Sequence, residues 1–144
     1  MIFERVCKGR SVKKLNMAHK ILLIEDEPQL IDIYNAVLSK AGFVVETFKY
    51  GAQAKERLAA ICQGAEKPDL ILIDLILPDM NGIEILEEVK KYPETKDIPC
   101  FISTNYFDIE LEKKCLELKA EKFILKTDYT PKELAEIVTQ RLSG

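Results

Sequence analysis

Two short apolar runs that each end in acid constrain this chain more than any other feature. One is KILLIED, residues 20–26; the other lies in DLILIDLILPDMNG, residues 69–82. Short runs this rich in Ile and Leu read as buried strands of a parallel sheet. An acid just past the end of such a strand is costly to leave unpaired. Two strands closing in this way, on Glu25-Asp26 and on Asp74, imply a shared cation. An all-carboxylate set suits a hard metal held by oxygen. The expectation is a metal site at one edge of a parallel sheet.

Between and after these runs the chain alternates strand and helix. Pro28 suits a helix start, Leu30, Tyr34, Val37, Leu38 and Ala41 recur at helical spacing, and Gly42 ends the helix. Residues 43–48 alternate as a strand, and 51–64 carry the helical stripe Ala54, Leu58, Ala59 and Ile61/Cys62. Pro68 precedes the strand 69–74, and Asn81-Gly82 opens a helix with Ile83, Leu86 and Val89 inward, stopping at Pro93. Residues 98–104 form a strand, and 108–120 a helix with Ile109, Leu111, Cys115, Leu116 and Leu118 as its apolar set. A strand at 122–125 follows, then a helix capped by Thr130-Pro131 and using Leu134, Ile137, Val138 and Leu142. Five strands and five helices in strict alternation imply an α/β doubly wound (βα)5 three-layer sandwich. In such sheets ligands sit beyond the carboxyl ends of strands, where strand order reverses. For order 2-1-3-4-5 that point falls between the first and third strands, the two that end in acid.

Composition excludes several classes. A length of 144 residues suits one domain with a full core. Cys7, Cys62, Cys100 and Cys115 are scattered, with no C-x-x-C pair, so reduced thiols in a cytoplasmic protein are expected rather than zinc or redox chemistry. No apolar stretch approaches the roughly 20 residues that cross a bilayer, and membrane insertion is not expected. Five of the first sixteen residues are basic (Arg5, Lys8, Arg10, Lys13, Lys14) and one is acidic; the remainder holds 16 basic and 23 acidic residues. An acidic body argues against nucleic-acid binding. Residues 1–17 are expected to be a basic extension: a disordered arm, a cloning remnant or an upstream start before Met17.

The pieces in order resemble the receiver domain of bacterial two-component response regulators. They are Glu25-Asp26, DLILPDMNG from Asp74 to Gly82, Thr104 after the fourth strand, and Lys126 after the fifth. The resemblance covers residues 18–144 and implies a CheY-like fold. It implies that Asp74 accepts a phosphoryl group from a sensor histidine kinase or a histidine phosphotransfer protein. It also implies Mg²⁺ held by Asp26, Asp74 and the carbonyl of Ile76, with Glu25 acting through a bound water. Lys126 and Thr104 would contact the phosphoryl group, and Phe123 would stand at the aromatic switch position. A downstream protein target would read the change, by a monomer or by a weak homodimer through the fourth helix, fifth strand and fifth helix.

Three departures from the family pattern stand out. Thr127 replaces the usual proline after the lysine, so a trans bond, or a strained one, and an altered loop are expected. Asn105 replaces a small residue and narrows access. Ile76 and Tyr106 occupy the two positions that, in this family, flank the path of the hydrolytic water; both are bulky and neither is a ready base. The expectation is a stand-alone receiver without turnover of an external substrate; Thr127 and Asn105 leave open the alternative of a phosphorylation-independent binding module. Related Mg²⁺-dependent hydrolases carry a second acid two residues after the nucleophile, where this chain has Ile76. Glu27 is read as helix first-turn charge, Asp79 as loop chemistry, and Tyr34, Tyr50 and Tyr92 as packing or surface residues.

Overall fold

The computed structural model describes residues 18–143. The basic extension expected at residues 1–17 lies outside them. Five parallel strands, β1 (Lys20–Ile24), β2 (Val44–Phe48), β3 (Leu70–Asp74), β4 (Cys100–Thr104) and β5 (Lys122–Leu125), pair in the order β2-β1-β3-β4-β5. The helices are α1 (Pro28–Lys40), α2 (Gly51–Cys62), α3 (Gly82–Lys91), α4 (Ile109–Glu117) and α5 (Pro131–Ser143). This is the doubly wound architecture read from the alternation.

Side-chain alternation along the central strands divides the core in two. Leu22, Ile24, Ile71, Ile73, Cys100 and Ile102 pack with α2, α3 and α4 through Leu58, Ile61, Leu86, Val89 and Cys115. Ile21, Leu23, Leu70, Leu72 and Phe101 face the other way and meet α1 and α5 through Tyr34, Leu38, Leu134 and Val138. Every residue of β3 and β4 is buried, because both faces are covered. Truncating a side chain such as Leu72 to Ala would cost about 2–5 kcal/mol.

The helices are unequally anchored. α3 buries Gly82, Ile83, Ile85, Leu86 and Val89, whereas α4 fully buries only Cys115. Ile109 and Leu116, expected inside, are exposed. α4 is also shorter than its apolar set suggests: Leu118 is its C-cap and Lys119 takes a positive φ of 72°. Ile109 sits in its first turn, just beyond the Asp108 cap whose carboxylate accepts from the amides of Glu110 and Leu111, before a full apolar stripe can seat. Tyr34, left between core and surface by the sequence, is buried.

Register aligns the strand ends. Ile24 pairs with Ile73, Asp74 with Ser103, and Thr104 with Leu125. Residues 25, 74, 104 and 126 are thereby brought to one edge of the sheet.

Candidate phosphoryl-acceptor and metal site

Glu25, Asp26 and Asp74 converge at the carboxyl edge between β1 and β3. One carboxylate oxygen from each lies within 4.8 Å of the others. Glu25 and Asp74 are buried and Asp26 is half-buried. Lys126 reaches over from the end of β5 and donates to Glu25 Oε1 at 2.7 Å and to Asp74 Oδ2 at 3.1 Å. These three side chains are 2%, 9% and 6% exposed for Glu25, Asp74 and Lys126 respectively. The amide of Glu27 donates to Glu25 Oε2 at 3.2 Å, and the amide of Ile76 to Asp74 Oδ1 at 3.1 Å.

Burial pushes the Glu25 carboxyl up; the hydrogen bond from Lys126 opposes this and the Asp74 charge adds to it. Burial alone would lower Lys126, but its hydrogen bond to Glu25 and the charges of Asp74 and Glu25 outweigh it, and its pKa is raised. Tyr34 lies in the same field. Burial raises its phenol, against the pull of Lys126, and it stays protonated.

A cleft of about 520 Å³ opens over the acids, lined by Glu25, Asp26, Asp74, Thr104, Asn105 and Tyr106 together with Glu27, Pro28 and Ile76. Thr104 is buried at its base, while Asn105 is exposed. Ile76 and Tyr106 are 51% and 55% exposed. Phe123 is partly buried against the core on the α2–α4 side. No cis peptide bond occurs among the described residues, so the Lys126–Thr127 bond is trans, and residues Lys126–Asp128 turn as a short 3₁₀ helix. A reciprocal capping box follows: the Thr130 amide donates to Glu133 Oε1 at 2.8 Å and the Glu133 amide to Thr130 Oγ1 at 3.1 Å.

The loop from β3 to α3 is closely built. The Gly82 amide donates to the Leu75 carbonyl at 2.7 Å and the Leu77 amide to the Met80 carbonyl at 3.2 Å, with an antiparallel bridge between Ile76 and Asn81. A Cβ on Gly82 would overlap the Asp74 carbonyl, so only glycine permits this approach. Asn81 caps α3 by accepting from the Ile83 amide at 2.8 Å. Asp79 does more than the loop chemistry read for it. Its carboxylate accepts from the amides of Gly51 at 2.8 Å and Ala52 at 3.0 Å, at the start of α2. Those amides hold the Asp79 carboxyl below the usual range. The available signal was Tyr50, a residue that cannot cap, standing where a cap is needed. Glu27 is the N-cap residue of α1 but makes no side-chain cap bond.

A doubly wound sheet with three acids and a lysine at its switch point carries a charged site whose carboxylates could hold a metal ion. The response regulator receiver domain matches residues 21–139, and the chain belongs to that family of two-component signalling proteins. Among relatives, it is 34% identical over 131 residues to the phosphate regulon transcriptional regulatory protein PhoB of Escherichia coli K12, covering 88% of this chain and 54% of that protein. The chain spans about half the length of the curated relatives it matches. Among solved structures, the phosphorylated cyanobacterial phytochrome response regulator RcpA superposes with a TM-score of 0.75 at 29% identity, covering 87% of this chain and 91% of that one. The Mn²⁺-bound form of response regulator Rcp1 gives 0.73 at 27% identity, covering 87% and 92%. Receiver domains work with histidine kinases and phosphotransfer partners. The acidic cluster fits a divalent cation, and no helix among the described residues is long and apolar enough to cross a membrane.

Proposed function

We propose that residues 18–144 form a receiver that accepts a phosphoryl group on Asp74 from a phosphohistidine donor. The observation that carries this reading is the convergence of Glu25, Asp26, Asp74 and Lys126 within one cleft. The P–N bond of the donor breaks as a P–O bond forms on an Asp74 oxygen, and the imidazole leaves with a proton. Such transfer depends on positioning and charge neutralisation more than on covalent assistance.

The residues present suit Mg²⁺, which takes oxygen ligands and retains several waters. Asp26, Asp74 and the Ile76 carbonyl would hold it, with Glu25 acting through water; when bound it neutralises charge on the transferring group. Lys126, already beside Asp74, would shift its hydrogen bonds to a phosphoryl oxygen, and Thr104 would donate to another. The phosphoryl group adds roughly two negative charges. Phe123 would then turn inward, and the face of α4, β5 and α5 would meet a downstream protein or a second copy. Phe lacks a hydroxyl, so its inward state gains packing without a hydrogen bond. Ile76 and Tyr106, at the cleft mouth, would exclude attacking water, and Asn105 would narrow the entry. Thr127, in its trans turn, would leave Lys126 on target without the usual proline. We place this activity in the cytoplasm, with no turnover of an external substrate.

The test is incubation with Mg²⁺ and a small acyl-phosphate donor, read by intact mass. Stable modification that disappears in Asp74→Asn supports the proposal. No modification would favour a phosphorylation-independent binding module, and continuous phosphate release a hydrolase. The modified protein should keep its phosphoryl group for minutes; loss within seconds would contradict the shielding role of Ile76 and Tyr106.

A further inference from the structure

The β3–α3 loop carries the acceptor, yet its tip is tied to a different element. Asp79 crosses to α2 and accepts from the Gly51 and Ala52 amides. The first turn of α2 has no cap of its own, since Tyr50 makes no side-chain cap bond. Asp79 is therefore a cap supplied from another part of the chain. Its negative charge also sits where the helix presents unpaired amides. The Met80 side chain packs directly over Gly51, where an added Cβ would overlap its Cγ and Sδ. One polar and one apolar contact thus fasten the same turn to the same helix end.

That turn bears on the site through a short stretch of backbone. The Leu77–Met80 hydrogen bond and the Ile76–Asn81 bridge make residues 76–81 a closed hairpin-like turn. Its base is Asp74, whose Oδ1 accepts from the Ile76 amide. A displacement at Asp79 is therefore passed to Ile76 through paired backbone, not through a slack loop.

We propose that Asp79 is a positioning residue: its latch onto the start of α2 fixes the backbone at Ile76 that serves the divalent cation. This rests on the reading of the site above. Outer-shell groups that orient ligands commonly change metal affinity by 10–100-fold, and a latch acting through backbone should fall at the low end, about tenfold.

The test uses the full chain and Mg²⁺ alone, followed by amide chemical shifts across the cleft, with phosphorylation rate as a second readout. Asp79→Ala should weaken Mg²⁺ about tenfold while its phosphorylation rate at saturating Mg²⁺ stays within roughly twofold of wild type. Asp79→Asn, whose amide oxygen caps helices about as well, should remain within roughly threefold of wild type. Circular dichroism of both variants reports folding. The proposal is overturned if Asp79→Ala binds Mg²⁺ as wild type does although the Gly51 and Ala52 amide resonances have moved. It is equally overturned if Asp79→Asn is as weak as Asp79→Ala, because charge and not the latch would then be responsible. Asp26→Asn separates the two levels of argument. If it leaves Mg²⁺ binding intact, the reading of the site itself fails; if it abolishes binding while Asp79→Ala has no effect, only the latch fails.

Discussion

The two ends of the sheet carry similar charges in opposite surroundings. At the carboxyl end, Glu25, Asp74 and Lys126 are each less than a tenth exposed and within 3.1 Å of a partner. At the amino end, Lys20 meets Glu66 at 2.9 Å and His19 meets Asp69 at 3.4 Å, but Glu66 is 64% and His19 51% exposed. Exposed pairs gain little over water and stabilise weakly. Desolvated charges cost free energy that their mutual attraction need not recover. The amino end therefore trims the fold, and the carboxyl end keeps an unfavourable concentration of charge that only a ligand fully neutralises. Contact distance does not separate the two ends; burial does.

The sharpest way to break this contrast is to disturb the backbone under the carboxyl end. Gly82→Ala would drive a Cβ into the Asp74 carbonyl, and overpacking against main chain should cost about 3 kcal/mol in urea denaturation, with loss of phosphorylation. Next is Lys126→Met. It leaves two buried carboxylates facing each other and should destabilise by about 3 kcal/mol at neutral pH. The loss should shrink on acidification, as one carboxyl takes up a proton; an equal loss at all pH values would contradict the buried-charge account.

Glu25→Gln should go the other way. The folded pKa of Glu25 is raised above 4.5, so its contribution to stability is full below about 4.5 and is lost as pH rises through the higher folded value. Removing the charge should therefore stabilise the metal-free protein at neutral pH and not at low pH. Mg²⁺ binding should weaken in the same variant, trading function for stability. The smallest effect belongs to the amino end. Glu66→Ala should leave the urea midpoint within experimental error, and a clear loss there would erase the distinction between the two ends.

Much of this was legible beforehand, for physical reasons that differ by element. β3 and β4 are uninterrupted apolar runs because helices cover both faces, and the acids after β1 and β3 stand out against them. Boundaries moved by one or two residues where pairing stops before the apolar pattern does: Phe43, Asp69, Ile98 and Pro99 lie outside the strands. The turn at Lys126–Asp128 has no periodic signal, because three residues complete no stripe. The role of Asp79 was hidden for another reason. Its partners lie 27 and 28 residues away, and only the folded chain brings a loop tip to a helix start. Lys126 was expected to await a phosphoryl oxygen, and its place between Glu25 and Asp74 follows from burial that the sequence does not reveal.

The weak seating of α4 has a further consequence. With Cys115 its single fully buried side chain and Ile109 and Leu116 in solvent, this helix forfeits less on detaching than α3, which buries five residues. Local opening free energies track such anchoring. Amide protons of α4 should exchange with deuterium well ahead of those of α3. A signal arising at residue 74 would meet its least resistance in this segment, which can re-seat while the two central strands stay still.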